Sequence, residues 1–320
     1  MGIKHLNRFI ATRCDNTAIR KIHLSELSGK KIAIDASIYL YRFMSDDRLI
    51  EQFYLMLSIF RHYNIIPIFV FDGAAPQEKQ ELLKERREIK QRAEEKYNEL
   101  EVQLHAIEND ADKDEKQDIA IEMLRLKKDF IRIKDTDIKQ VKSLLVQSGA
   151  SWIHAKGEAD VLCAQLIHTG RVYACLSEDM DMFVYGCSRV LRHISLIKHT
   201  ALLYDLREIL HQLDMTMDEF RQVLVLSGTD YNKDDATNLK DSIAMFRKYK
   251  ENEVPTFYEW LHLNTGYIKD YDRLKLTYDM FDAAKNIDVE YVKKISIEPG
   301  TYSKTEVEQI MEKEGFLFVK

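Results

Sequence analysis

The chain is poor in the residues that build loops and crosslinks: its 320 residues include only 11 glycines, 4 prolines and 4 cysteines. So few helix breakers argue against long irregular segments and favour helix. No run of about 18 apolar residues occurs, so no membrane span is expected. The start, Met1-Gly2-Ile3-Lys4-His5-Leu6, lacks the apolar stretch of a signal peptide, and Leu6 stands where a myristoylation site needs Ser or Thr. Cys14, Cys163, Cys175 and Cys187 form no C-x-x-C pair and have no histidines at metal-ligand spacing beside them. They read as buried free thiols in a reducing, intracellular compartment. The Walker loop, G-x-G-x-x-G, G-x-S-x-G and H-E-x-x-H are all missing, which removes the commonest nucleotide-binding and hydrolase classes. Basic charge is also in deficit. Lys and Arg total 47 against 53 Asp and Glu, a net charge of −6, and this argues weakly against a nucleic-acid partner.

What is present reads as an α/β protein. Apolar residues are 45% and charged residues 31%, ordinary for a soluble globular chain. Ile3, Leu6 and Ile10 sit at helical spacing. Lys31 to Asp35 and Ile66 to Phe71 are apolar runs, each delivering an acid, Asp35 and Asp72. Helices are expected over Ile38 to Met44 and Phe53 to Phe60. Ser151 to His154 and Val172 to Leu176 are further strands, Arg189 to Ile194 is another candidate, and a helix spans Ala159 to Ile167. Strands alternating with helices predict a mostly parallel sheet flanked by helices. Between these halves, Ile89, Ala93, Tyr97, Leu100, Leu104 and Ile107 recur at three- and four-residue steps. After an acidic break from Asp110 to Asp118 the period resumes at Ile119, Met123, Leu126, Phe130 and Ile133. This predicts a two-helix hairpin, for which a solvated antiparallel coiled coil is the plain reading. From Asp205 onward the chain reads as mostly helical, with Asp218 to Ser227 and Ala236 to Tyr249 the clearest helices.

In parallel sheets the ligand site lies at the carboxyl ends of the strands. Asp35, Asp72 and the Asp179-x-Asp181 pair all fall there. In an extended segment residues i and i+2 face the same way, so Asp179 and Asp181 can point together. Glu158 and Asp160 sit where a helix starts. Clustered carboxylates repel one another unless cations neutralise them. Hard oxygen ligands without His or Cys suit Mg²⁺ or Mn²⁺. Two such ions about 4 Å apart form a phosphoryl-transfer site. A helix cap or a surface charge is the alternative for any one of these acids, but not readily for the set.

The stretches Ile34-Asp35-Ala36-Ser37, Phe69-Val70-Phe71-Asp72-Gly73, Gly157-Glu158-Ala159-Asp160, Glu178-Asp179-Met180-Asp181 and Ser227-Gly228-Thr229-Asp230-Tyr231, in this order and spacing, resemble the flap endonuclease branch of the XPG-like, structure-specific 5′ nucleases. The resemblance implies a PIN-like 5′ nuclease fold forming a single nuclease unit. Residues 1–76 and 138–231 would make the α/β core, 77–137 a helical arch, and 232–320 a helical DNA-binding region and C-terminal cover. It implies Asp35, Asp72, Glu158, Asp160, Asp179, Asp181 and Asp230 as ligands of two Mg²⁺ ions, for which Mn²⁺ could substitute. Lys79 and Arg86 would be the arch's catalytic cations, two turns apart on one helix face. Tyr41 would stack on a base near the cut, a buried core tyrosine being its alternative. Gly2, once Met1 is removed, would bring its α-amino group near the DNA, and Arg87 would add a DNA contact. The implied partner is branched DNA with a 5′ single-stranded flap, cut in replication or repair in the nucleus or another site of DNA replication. A 5′-to-3′ exonuclease, another junction nuclease and a non-catalytic DNA-binding protein are the alternatives.

Three features depart from the family pattern. Asp35 and Asp72 are only 37 positions apart, an interval too short for much of the hydrophobic wedge that parts two duplexes, which leaves 3′-flap recognition unsupported. The stretch Asn232 to Asn238 contains no glycine where the family has a glycine-containing, K⁺-assisted hairpin. Gln309-Ile310-Met311-Glu312 does not fit a sliding-clamp motif, no basic tail follows, and Phe316-Leu317-Phe318 reads as packing. From Lys79 to Lys96, seven basic residues stand against five glutamates, a modest excess that also suits a solvated helix. Setting the seven candidate ligands aside turns the chain's −6 into +1, so the acidic total does not exclude DNA.

Overall fold

The structure, a computed structural model, describes residues 3–76, 79–106, 113–232, 238–251 and 256–318. One sheet organises it: β1 (Ile19–His23), β2 (Lys31–Asp35), β3 (Ile66–Phe71), β4 (Ser151–His154), β5 (Ala174–Leu176), β6 (Arg189–Ser195) and β7 (Thr200–Asp205). Their order across the sheet is β1-β7-β6-β5-β2-β3-β4. The run from β6 through β5, β2 and β3 to β4 is parallel. The last two strands, β7 and β1, are antiparallel.

Helices cover both faces, so the central strands are apolar on both sides. In β3 successive side chains take opposite faces. Ile68 and Val70 join a core built around Leu6, Leu162, Phe183, Phe220 and Leu261. Phe69 and Phe71 join a second core with Tyr39, Phe43, Phe53 and Leu144. The expected helices are present at Leu6–Arg13, Ala36–Ser45, Leu49–His62, Ala159–His168 and Met217–Leu226. The helix expected from Ala236 begins at Leu239, with Asn238 as its cap; residues 236 and 237, like most of the Asn232 to Asn238 stretch, lie outside the described residues. The strand expected from Val172 starts at Ala174. Strands β1 and β7 were not foreseen.

The two-helix hairpin is present as Gln80–Ala106 and Lys113–Asp129. Of the expected Asp110 to Asp118 break, Lys113 to Asp118 are helical, and residues 110–112 lie outside the described residues. The seam between the helices carries the expected stripe, with Met123 and Leu126 buried. Tyr97 meets Phe130 edge to face at 5.3 Å, and Lys96 pairs with Glu122 at 2.8 Å. Ile89, the first member of the expected apolar stripe, is 60% exposed and contributes little to it. At the other end of the chain, Phe316 and Phe318 pack against Tyr54, as expected of a packing segment, while Leu317 points outward. Among the described residues no helix is long and apolar enough to cross a membrane, and all four cysteines are free.

Candidate active site

Four adjacent parallel strands, β5, β2, β3 and β4, end at one edge of the sheet, and each exit carries acids to it. Asp35 ends β2 and caps helix Ala36–Ser45 by accepting from Ser37 N at 3.1 Å. Asp72 follows β3. Its Oδ2 accepts from Ser37 Oγ at 2.6 Å, and its Oδ1 accepts from Ala159 N, the first residue of the next helix, at 2.8 Å. Gly73 fits because it has no side chain: a Cβ there would lie 2.1 Å from the Ala155 carbonyl oxygen. That closeness lets the exits of β3 and β4 touch, with Gly73 N donating to Gly157 O at 2.7 Å.

After β5 the chain turns sharply. Asp179 N donates to Ser177 Oγ at 3.1 Å, and Asp181 N donates to Asp179 Oδ1 at 3.0 Å. Asp181 thus opens a short helix, Asp181–Val184, which corrects the expectation of an extended Asp179-x-Asp181 segment. The pair still converges, because both carboxylates are buried at the same edge. Glu158 and Asp160 straddle the helix start and meet different neighbours. Glu158 is still extended and takes Lys79, whereas Asp160 lies in the first helical turn against Asp35.

The electrostatics divide these acids. Burial, then Asp72 and Asp179, push the Asp35 carboxyl up to about 7. Burial also raises Asp160, aided by Asp35 and Asp179, and raises Asp181, aided by Asp179 and Asp230. The Oδ1 atoms of Asp160 and Asp181 are buried without a hydrogen-bond partner. Outside this group, Glu158 accepts from Lys79 Nζ and from the Tyr231 hydroxyl. Asp230 accepts from Arg86 Nη2 at 2.9 Å, and Lys79 Nζ stands 4.0 Å from it. Burial opposes the charge on Lys79, but Glu158 and Asp230 outweigh it and raise its pKa.

These residues fit divalent cations in chemistry: all-oxygen donors, like charges in contact, and two buried oxygens without partners. Among the described residues no three side chains are already gathered round one point as a bound ion requires, and Glu158 and Asp230 are held by the arch cations instead.

The remaining candidates scatter. Tyr41 is 44% exposed beneath Lys90, whose Nζ is 4.6 Å from the ring centroid. It is therefore not the core tyrosine of its alternative reading; the buried one is Tyr39. Arg87 is exposed on the first arch helix and does not join Lys79 and Arg86 at the acids. Gly2 lies outside the described residues. Sequence reasoning passed over Ser37, which ties Asp72 to the helix that follows the neighbouring strand, and Tyr231, which holds Glu158. Both stand inside the quoted motif stretches, but a hydroxyl there gave no signal of its own.

Comparison with known proteins places this geometry. The XPG N-terminal domain model matches residues 1–93 and the XPG I-region model residues 149–230. Flap endonuclease 1 of Mycosarcoma maydis is 30% identical over 274 residues, 79% of this chain and 69% of that protein. Flap endonuclease 1 of Lodderomyces elongisporus is 30% identical over 251 residues, 72% of this chain; the match spans only 61% of that relative's length. Among solved structures, the catalytic core of Rad2 in complex with DNA substrate superposes with a TM-score of 0.64 at 18% identity, covering 98% of this chain and 96% of that one. The fold is that of the Rad2 structure, and the chain belongs to the XPG family, in the branch of the flap endonucleases.

Proposed function

We propose that this protein is a structure-specific 5′ nuclease that hydrolyses a DNA phosphodiester near the junction of a 5′ flap, using Mg²⁺. The observation that carries the reading is the meeting of crowded carboxylates from four neighbouring strands, with Asp35, Asp179 and Asp181 buried among them, and two cations from the base of the arch. Asp35, Asp72, Glu158, Asp160, Asp179, Asp181 and Asp230 would hold two ions. When bound, such ions supply an activated water and neutralise charge at the leaving oxygen.

The chain's own groups do the rest. Lys79 and Arg86 reach the acids already, so a phosphate delivered there meets both. They would turn from Glu158 and Asp230 to the phosphate oxygens and offset the charge that develops on them. Tyr41, exposed and paired with Lys90, offers a face on which a base can stack. Burial of Asp35, Asp179 and Asp181 keeps bulk water from screening these interactions. The free cysteines suit an intracellular site of DNA replication or repair.

The test is cleavage of a 5′-labelled flap DNA in Mg²⁺, with EDTA and Asp181→Asn as controls. Cutting at the junction that both controls abolish supports the reading. Equal cutting by Asp181→Asn contradicts the assignment of the acids. Product lengths on flap, nicked and four-way DNA separate a flap endonuclease from an exonuclease or another junction nuclease.

A further inference from the structure

Glu158 stands before helix Ala159–His168 in an extended conformation, and its side chain does not cap that helix. Its orientation therefore comes from elsewhere. Each carboxylate oxygen has one partner, Lys79 Nζ on Oε1 and the Tyr231 hydroxyl on Oε2. The two partners also touch each other, with the Lys79 ammonium 4.8 Å from the centroid of the Tyr231 ring. Tyr231 is itself fixed by its neighbours. Its backbone N donates to Thr229 Oγ1 at 3.2 Å, and its ring meets Phe281 edge on at 5.5 Å. The ring also lines two clefts of about 520 and 620 Å³, so one side of it packs on the core and the other is a wall of the site.

We propose that Tyr231 is a positioning residue for phosphodiester cleavage: its hydroxyl holds Glu158 and its ring holds Lys79. The inference rests on the nuclease reading above. Lys79 is a point charge on a flexible stem, and a phosphate would draw it from the carboxylate. Glu158 then keeps one anchor, the neutral hydroxyl, which has no charge to lose to the phosphate. The ring meanwhile limits how far the ammonium travels. Tyr231 follows Asp230 directly, so one turn sets both acids that face the arch.

Tyr231→Phe removes the hydroxyl and keeps the ring. Its single-turnover rate at saturating flap DNA in Mg²⁺ should fall about tenfold, the loss of one hydrogen bond that orients a reacting group. Affinity for the same DNA with Ca²⁺ in place of Mg²⁺ should change less than about twofold on the same scale. Combined with Lys79→Ala, the two losses should be non-additive, the double variant being faster than the product of the single effects predicts. A packing role would instead lower the melting temperature and leave the losses multiplicative. An unchanged rate in Tyr231→Phe, or multiplicative losses, overturns the proposal. A second arm needs no cleavage. In metal-free protein, acylation of Lys79 by acetic anhydride, read by mass spectrometry, should speed up about threefold in Tyr231→Ala as the ring contact is lost. Unchanged acylation overturns the proposal too. If wild type cuts no DNA, the nuclease reading fails by itself and the acylation still decides whether Tyr231 holds Lys79.

Discussion

Two groups of acids lie side by side at the sheet edge, and they are neutralised in different ways. The inner group, Asp35, Asp160, Asp179 and Asp181, is crowded, largely buried and short of partners, with two carboxylate oxygens left unpaired. The outer pair, Glu158 and Asp230, is half-buried and already meets Lys79, Arg86 and Tyr231. The inner group carries a cost that only a proton or a metal cation can remove. The outer pair carries none, because the arch supplies the opposite charge. An acid at this edge therefore has a different meaning according to which group it belongs to, and substitution should separate the two.

The largest expected difference is in catalysis by the inner group. Asp181→Asn should lower flap cleavage by about a thousandfold or more, as loss of a ligand to a catalytic ion does. Lys79→Ala, which removes the cation of the outer group, should cost about a hundredfold in single-turnover rate, the scale of one group that stabilises transition-state charge. If Lys79→Ala proves as damaging as Asp181→Asn, the division of labour is wrong.

Acidity should separate the groups next. An acid whose pKa rises on folding keeps a proton that the unfolded chain has lost. The native state then binds more protons, and stability falls as pH rises. For Asp35 this contribution is complete below its ordinary value of 3.8 and is lost through about 7, and Asp160 and Asp181 shift in the same direction. The metal-free protein should therefore melt lower at pH 7.5 than at pH 5, and saturating Mg²⁺ should flatten the slope. A slope unchanged by Mg²⁺ would detach the inner acids from metal binding. The smallest effect belongs to the outer pair. Glu158→Gln in metal-free protein should cost about 2 kcal/mol in urea unfolding, because it weakens a charged hydrogen bond without leaving a buried lone charge.

The difference between the groups was only partly legible in the sequence. Strand-end acids are a local signal, since a run such as Ile66 to Phe71 leads directly into its Asp72, and the motif order gave the family. The strands at the antiparallel end gave no such signal. In β1 only Ile22 is buried, and Arg20 and Lys21 read as surface. The β6–β7 hairpin is irregular at left-handed His193 within β6 and turns through left-handed His199 rather than through the Asn-Gly or Gly pairs that mark such turns. The acids from Asp110 to Asp118 read as a break, yet Lys113 to Asp118 are helical. Which acid meets which cation was not legible at all. Lys79 reaches Glu158 across 79 positions and Arg86 reaches Asp230 across 144, and only the folded sheet edge brings them together.

The most direct test is a comparison of melting temperatures for wild type and Asp181→Asn, each in EDTA and in Mg²⁺. The account predicts a crossing. Without metal, Asp181→Asn melts higher than wild type, because an acid that burial and its neighbours keep from ionising freely has been replaced by a neutral amide. With Mg²⁺, wild type melts higher, because the inner carboxylates now bind the ions. Wild type melting higher in EDTA, or Mg²⁺ moving neither protein, would contradict the claim that these acids are held in repulsion for a metal.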